Sequence, residues 1–397
     1  MAIRVLAGVA VLAVAVAGPA VEGAAGTVPR TWRVGPHGKY ATVQAAADLA
    51  RPGDTVAIEA GTYPGGLTIR RDGAPGRPIR FAAIGGSAVL AGAGGLAVGS
   101  HGWLEFTDVT VSGSTRFGVY ADGAHDLVFD RFGVDGSRDG GLVLVGTRRV
   151  RITGCDIRGT NARGTAADHE ALSIASGSSD VEVSGCRVHD NGEEGIDVKY
   201  DDEARVKVHH NIVTGNRGPD IYVDSSSTVD VYANVVGATR EATKAGIGLA
   251  VEDYSESRLL SKVRVFDNLS TGNAQAGLSL WAESSGTMRD LTIVNNTFAG
   301  NARGSLLIDA DRFTGTNILR NNVFGDGPVA PGPFAADHNF AGNPEFADSA
   351  RGDYHLAKGS AAIDAGSPEC APPFDLDGVA RPAGAGFDIG AYERRWP

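Results

Sequence analysis

Short segments that begin with a small or polar residue and then alternate recur along most of this chain, and no other feature restricts its fold as much. The clearest are Ala171-Leu-Ser-Ile, Gly195-Ile-Asp-Val, Asp220-Ile-Tyr-Val, Gly246-Ile-Gly-Leu, Gly277-Leu-Ser-Leu and Ser305-Leu-Leu-Ile, whose starts lie 24, 25, 26, 31 and 28 residues apart. Gly118-Val-Tyr-Ala and Gly141-Leu-Val-Leu are weaker, earlier members. A second kind of strand sits between them: Val150-Arg-Ile, Val181-Glu-Val, Val206-Lys-Val, Val229-Asp-Val, Val263-Arg-Val and Leu291-Thr-Ile. Three residues beyond these come Cys155, Cys186, Asn211, Asn234, Asn268 and Asn296, and Asn322 continues the series.

Alternation with period two puts one face inside and one outside. Two unlike strands in fixed order every 25 residues or so predict a coil wound once per repeat rather than a sandwich or propeller. The expected fold is all-β, a single-stranded right-handed parallel β-helix. An Asn at the same place in each coil can stack as a ladder inside a turn. Cys155 and Cys186 share that place, as stacked thiols or as a disulfide.

A solenoid must cover its open ends. Residues 40–50 are Ala-rich and place Val43, Ala46, Ala47 and Ala50 on one helical face, a short N-terminal capping helix. After Asn322 the chain turns Pro- and Gly-rich, an irregular C-terminal tail folded over the last coils. The expected boundaries are a signal peptide over 1–25, the N-terminal cap over 26–54, the β-helix over 55–325 and the tail over 326–397. One positive charge followed by the apolar run Val5–Ala17 and small residues marks the leader of a secreted protein. No other stretch approaches a membrane span.

The chain carries 36 basic and 47 acidic residues among 397, with no basic cluster, which argues against a nucleic-acid partner. Its 56 glycines lack the period of collagen. The expected partner is an acidic polysaccharide, met by a monomer with no nucleic acid and no membrane.

Coils stack about 4.8 Å apart, so outward residues form columns. One column reads Ser173, Asp197, Tyr222, Gly248, Ser279, Leu307, and the next Ala175, Lys199, Asp224, Ala250, Trp281, Asp309. The intervening inward residues are aliphatic throughout. Coil 246–250 offers only Gly246, Gly248 and Ala250, a bare strip between Trp281 and a charged wall. Such a strip suits a sugar ring, with Trp281, Gly248 and Ser173 as substrate-binding candidates. The densest charge is Glu193-Glu194-Gly-Ile-Asp197-Val-Lys199, with Glu170 one coil before and Asp224 one coil after. Crowded carboxylates either lie solvated at the coil edge or gather a hard cation, for which Ca²⁺ is the expected cofactor. Asp197 and Lys199 point the same way, and their alternative reading is an exposed salt bridge worth little.

The repeat resembles the pectate-lyase-type β-helix superfamily. Glu193-Glu194-Gly-Ile-Asp197 resembles the D-D-G-x-D calcium segment of a β-helix pectate lyase family. Glu194 to Lys199, with Glu170 a coil earlier, is similar to the Glu-(x)4-Lys segment of chondroitinase B and related alginate lyases. That resemblance implies Glu170, Glu193, Glu194 and Asp197 as calcium ligands and Lys199 as the base of a polysaccharide lyase. The Arg those enzymes carry on the following strand is absent, and Tyr222 and Asp224 stand in that coil. Tyr222 is the candidate donor to the leaving oxygen, and Asp224 completes the catalytic candidates. An inverting hydrolase built on Asp197 and Asp224, a C5-epimerase and a glycan-binding β-helix without turnover remain open.

Overall fold

The computed structural model describes residues 28–283 and 285–395. The leader expected over 1–25 therefore lies outside the described residues. Among those residues no helix is long and apolar enough to cross a membrane.

The chain winds as a parallel β-solenoid. Ten short strands, from Leu67–Thr68 to Leu306–Asp309, pair coil upon coil into one parallel sheet, and a 25-stranded sheet carries the other walls. The register joins Ser173, Asp197, Tyr222, Gly248, Ser279 and Leu307 in one row and Ala175, Lys199, Asp224, Ala250, Trp281 and Asp309 in the next. These are the columns that periodicity gave. Their inward partners from Leu172 to Leu280 are fully buried.

The middle coils hold three strands rather than two, as in Leu172–Ala175, Ser179–Ser184 and Arg187–His189. The third strand is only three residues long, too short for alternation to register against its turn residues. Inside the first coils Phe81, Phe106 and Phe129 stack with centroids 4.9 and 5.3 Å apart.

The turn before the third strand explains the Asn series. The residue ahead of each ladder position is left-handed, including Gly185, His210, Ala233, Asp267, Asn295 and Asn321 at φ between 50° and 63°. Such a backbone is costly for residues with a Cβ, roughly 1–2 kcal/mol. The ladder offsets that cost. The Asn268 amide donates to Val231 O, Phe266 O and Asn296 Oδ1 at 2.9–3.0 Å, and its oxygen accepts from Asn234 N and Nδ2 at 3.0 Å. The ladder runs on through Asn322 to Asn339, and Cys155 and Cys186 at its start are joined as a disulfide. A second ladder at another corner, Thr160–Asn191–Asn216, has no simple sequence signature.

Thr42 caps the helix Val43–Ala47, accepting from Ala45 N, and its buried Val43, Ala46 and Ala47 close the first coil. The tail packs through a small core of Val323, Leu356, Ala362 and Ile389. Arg381, wholly buried, binds Asp267 at 3.0 Å and Glu393 at 2.6 Å.

Candidate functional site

The ten-stranded sheet points its acids outward, yet the outward face here is not solvated. Asp197 is 1% exposed and Asp224 0%, while Ser173 and Tyr222 are also buried. The exposed salt bridge and the solvated coil edge are both replaced by a buried cluster. Lys199 is its centre: Nζ lies 2.5 Å from Glu170 Oε1 and 3.3 Å from Asp197 Oδ2. Burial alone would lower the pKa of this ammonium, but Asp197 and Glu170 outweigh it and push it up. Lys199 is therefore protonated and a poor base.

The acids differ sharply. Burial works to raise Glu170, yet the charge and hydrogen bond of Lys199 hold it below the ordinary carboxylate value. Asp197 is pushed well above its ordinary value by burial and then by Glu170. Glu194 rises to about 7 through burial and the neighbouring charges of Glu170 and Glu193. Asp224 rises to about 8 through burial and then Glu252. Glu170 Oε2, Asp197 Oδ1 and Asp224 Oδ2 are buried with no hydrogen-bond partner.

Glu252 and Tyr200 belong to the cluster and were missed. Tyr200 and Tyr222 donate to the two Glu252 oxygens at 2.8 and 2.9 Å, and Glu252 N donates to Asp224 Oδ1 at 3.0 Å. Glu252 continues the outward alternation 248, 250, 252, just past the end of its strand at Val251. Reading one residue further along the column would have found it.

The implied calcium ligands crowd one another, but each is drawn to a protein cation. Glu193 turns to Arg217, with both oxygens 3.1 Å from Nη1. Glu194 lies 4.0 Å from Lys244. The Lys199 ammonium itself bridges Glu170 and Asp197. Among the described residues no three His, Cys, Asp or Glu side chains converge to hold a metal ion. The set Glu170, Glu193, Glu194 and Asp197 does not fit calcium as arranged, and no step below is routed through it.

The sugar strip also shifts. A Cβ on Gly248 would meet the Tyr222 ring at 2.7 Å, because that ring lies across the bare backbone toward Trp281, 6.4 Å away and nearly parallel. Gly246 faces Ser270 and Asn273 rather than the groove. Ser173 is closed off, its Oγ 3.3 Å from His169 Nδ1. The open cleft lies further along, about 450 Å³ between Lys244 and Gln275 on one side and Trp281, Leu307 and Asp309 on the other. Of the three binding candidates only Trp281 lines it.

A family model described as a right handed beta helix region matches residues 94–298. No curated protein matches the chain by sequence. Among solved structures the chain is similar to the pectate lyase Pel9A, at 18% identity and a TM-score of 0.61, over 93% of this chain and 97% of that one. It is similar to a lacto-N-biosidase, GH136, from Eubacterium ramulus, at 10% identity and a TM-score of 0.52, over 79% and 68%. It is also similar to the periplasmic alginate epimerase AlgG, at 11% identity and a TM-score of 0.46, over 67% and 70%. At these identities the likeness is one of fold.

Proposed function

The chain belongs to the right-handed β-helix family, and from that premise we propose that it is a secreted enzyme that cleaves glycosidic bonds in a polysaccharide. The observation that carries the reading is Asp224, with a pKa raised to about 8 and an Oδ2 buried without a hydrogen-bond partner. A carboxyl group kept neutral at working pH can hand its proton to a leaving glycosidic oxygen.

Environments that push two carboxyl pKa values apart mark an acid and a base. Glu170, held ionised by Lys199, is the opposite of Asp224. Lys199, which pairs with Glu170, stands in register with Asp224 on the coil between them, and an inverting hydrolysis sets a water between the two carboxyl groups. Asp224 protonates the glycosidic oxygen as its bond to the anomeric carbon breaks. Glu170 takes a proton from the water whose oxygen bonds to that carbon. Asp197, the partner first expected for Asp224, is itself pushed well up and does not supply the ionised group. Lys244, which lines the cleft, is the cation available to a uronate carboxylate, so an acidic polysaccharide remains the substrate class under this proposal.

β-Elimination is the second reading, favoured by the placement of Lys199 Nζ between Glu170 and Asp197, the residues the lyase resemblance pairs. It requires Lys199 to give up a proton that both acids retain. One assay separates the two. The purified protein is run on pectate, alginate, galactan and xylan, following both reducing ends and the ultraviolet absorbance of unsaturated uronate. Hydrolysis predicts new reducing ends without absorbance. Absorbance rising with the reducing ends would replace it by elimination, and silence in both would sink the cleavage reading.

A further inference from the structure

Away from the acid face a larger cavity, about 750 Å³, lies between the long sheet and the tail. That volume is within the roughly 300–1,000 Å³ of small-molecule sites. On the sheet side His209, Tyr232 and Phe266 stack in register, with centroids 4.6 and 4.7 Å apart. Tyr232 and Phe266 of this stack line the cavity beside His210, and no hydrogen bond engages the Tyr232 hydroxyl among the described residues. Beside them Arg264 holds Asp230 through two bonds at 2.6 and 2.5 Å.

The opposite wall is the segment 370–378 of the tail, and it is anchored at both ends. Asn321 Oδ1 accepts from Ser367 N at 2.8 Å, and Arg320 donates to Glu369 at 2.8 Å. Beyond the arch, buried Arg381 binds Asp267 and Glu393. The gap is thus a standing part of the fold. Phe374 sits on this arch 56% exposed, a large apolar ring that core packing does not explain.

We propose that this cavity is a glycan-binding site, distinct from the acid face, that takes a neutral stretch of polysaccharide. The apolar face of a sugar ring lies on Phe374 and the adjoining Pro372 and Pro373, as aromatic faces favour. Ring hydroxyls bond the Tyr232 hydroxyl and the outer atoms of the Arg264–Asp230 pair. The charge balance disfavours a polyanion: the lining carries Lys207 and Arg264 against Asp230, Asp267 and Asp375, with no surplus cation to hold an acidic chain.

The test is affinity electrophoresis of the full chain in gels cast with galactan, xylan or glucomannan, with polygalacturonate as the acidic control. The expected result is retardation by at least one neutral glycan, lost in Phe374→Ala, weakened in Tyr232→Phe and unchanged in Leu49→Ala, a change at an exposed residue of the N-terminal cap. Both key variants are gentle, because Phe374 is exposed and Tyr232→Phe removes only a hydroxyl. No retardation by any of the three neutral glycans would overturn the proposal. Equal retardation in Phe374→Ala, or its loss in Leu49→Ala instead, would overturn it as well. Turnover plays no part in this readout, so it stands or falls apart from the cleavage reading.

Discussion

The asparagine column at the turns and the acid column on the ten-stranded sheet are both polar, both buried and both repeated from coil to coil. They end in opposite states. Each ladder amide is a neutral rung whose donors and acceptor are taken up by the coils above and below, and none is left unpartnered. The acid column leaves three carboxylate oxygens without partners and crowds its negative groups around the single ammonium of Lys199. A buried polar group without a partner costs about 1–3 kcal/mol. A fold that can lay down a satisfied ladder at one corner has no packing reason to carry the unsatisfied cluster on a neighbouring wall. Under the cleavage proposal the ladder is scaffold and the acids are the reacting groups.

Asp224→Asn should break the comparison hardest. Under the hydrolysis proposal it removes the proton donor and lowers kcat by roughly 10²–10⁴-fold. Its stability effect has the opposite sign. A carboxyl whose folded pKa is raised to about 8 supports the fold fully below its unfolded value near 4 and loses that support as the pH rises through 8. Thermal melts of the parent should therefore fall between pH 5 and pH 8, and the Asn variant should flatten that slope and melt higher at pH 8. A variant that loses activity and also melts lower at pH 8 would place Asp224 in the scaffold instead.

Asn268→Ala should do the reverse. It deletes the rung that pairs with Asn234 and Asn296 and leaves buried donors without acceptors. The expected loss is about 3 kcal/mol in denaturant unfolding, with turnover per folded molecule and the pH slope both unchanged.

The contrast also explains what the sequence could tell. Ladder and columns were legible because both rest on period: an Asn three residues past each Val-x-Val, and an outward residue at every second position. The state of the acids was not legible, because it depends on distances that period does not encode. Lys199 reaches back to Glu170 across 29 residues, and Glu252 reaches Tyr200 across 52. Gly248 looked open because a one-dimensional column cannot show a neighbour's ring lying across it. The Cys155–Cys186 pairing was narrowed to two states by register, and only the structure chose the disulfide.

Lys199→Met sharpens the division of roles within the acids. Without the ammonium, Glu170 keeps its burial and loses the charge that holds its pKa down. The acidic limb of the kcat/KM profile should then move to higher pH, with activity near neutrality falling about tenfold. Under elimination the same variant would have no activity at any pH, so the profile also distinguishes the two readings.

Gly248→Ala makes the smallest change. Its new methyl would sit 2.7 Å from the Tyr222 ring, so the ring must swing away from Trp281 or the backbone must shift. Overpacking of this kind costs about 1–3 kcal/mol when the neighbour is locked. Tyr222 is tied to Glu252 through its hydroxyl, and its ring faces Trp281 at 6.4 Å. The expected outcome is a stability loss near the bottom of that range and a kcat lowered a few-fold, as Glu252 is pulled off Asp224. The basic limb of the pH profile should move downward, because Glu252 is the neighbour that helps keep Asp224 protonated. An unchanged limb with lowered kcat would mean that the ring acts on the sugar directly, and the column would then run from Asp224 through Tyr222 to Trp281 as one substrate surface.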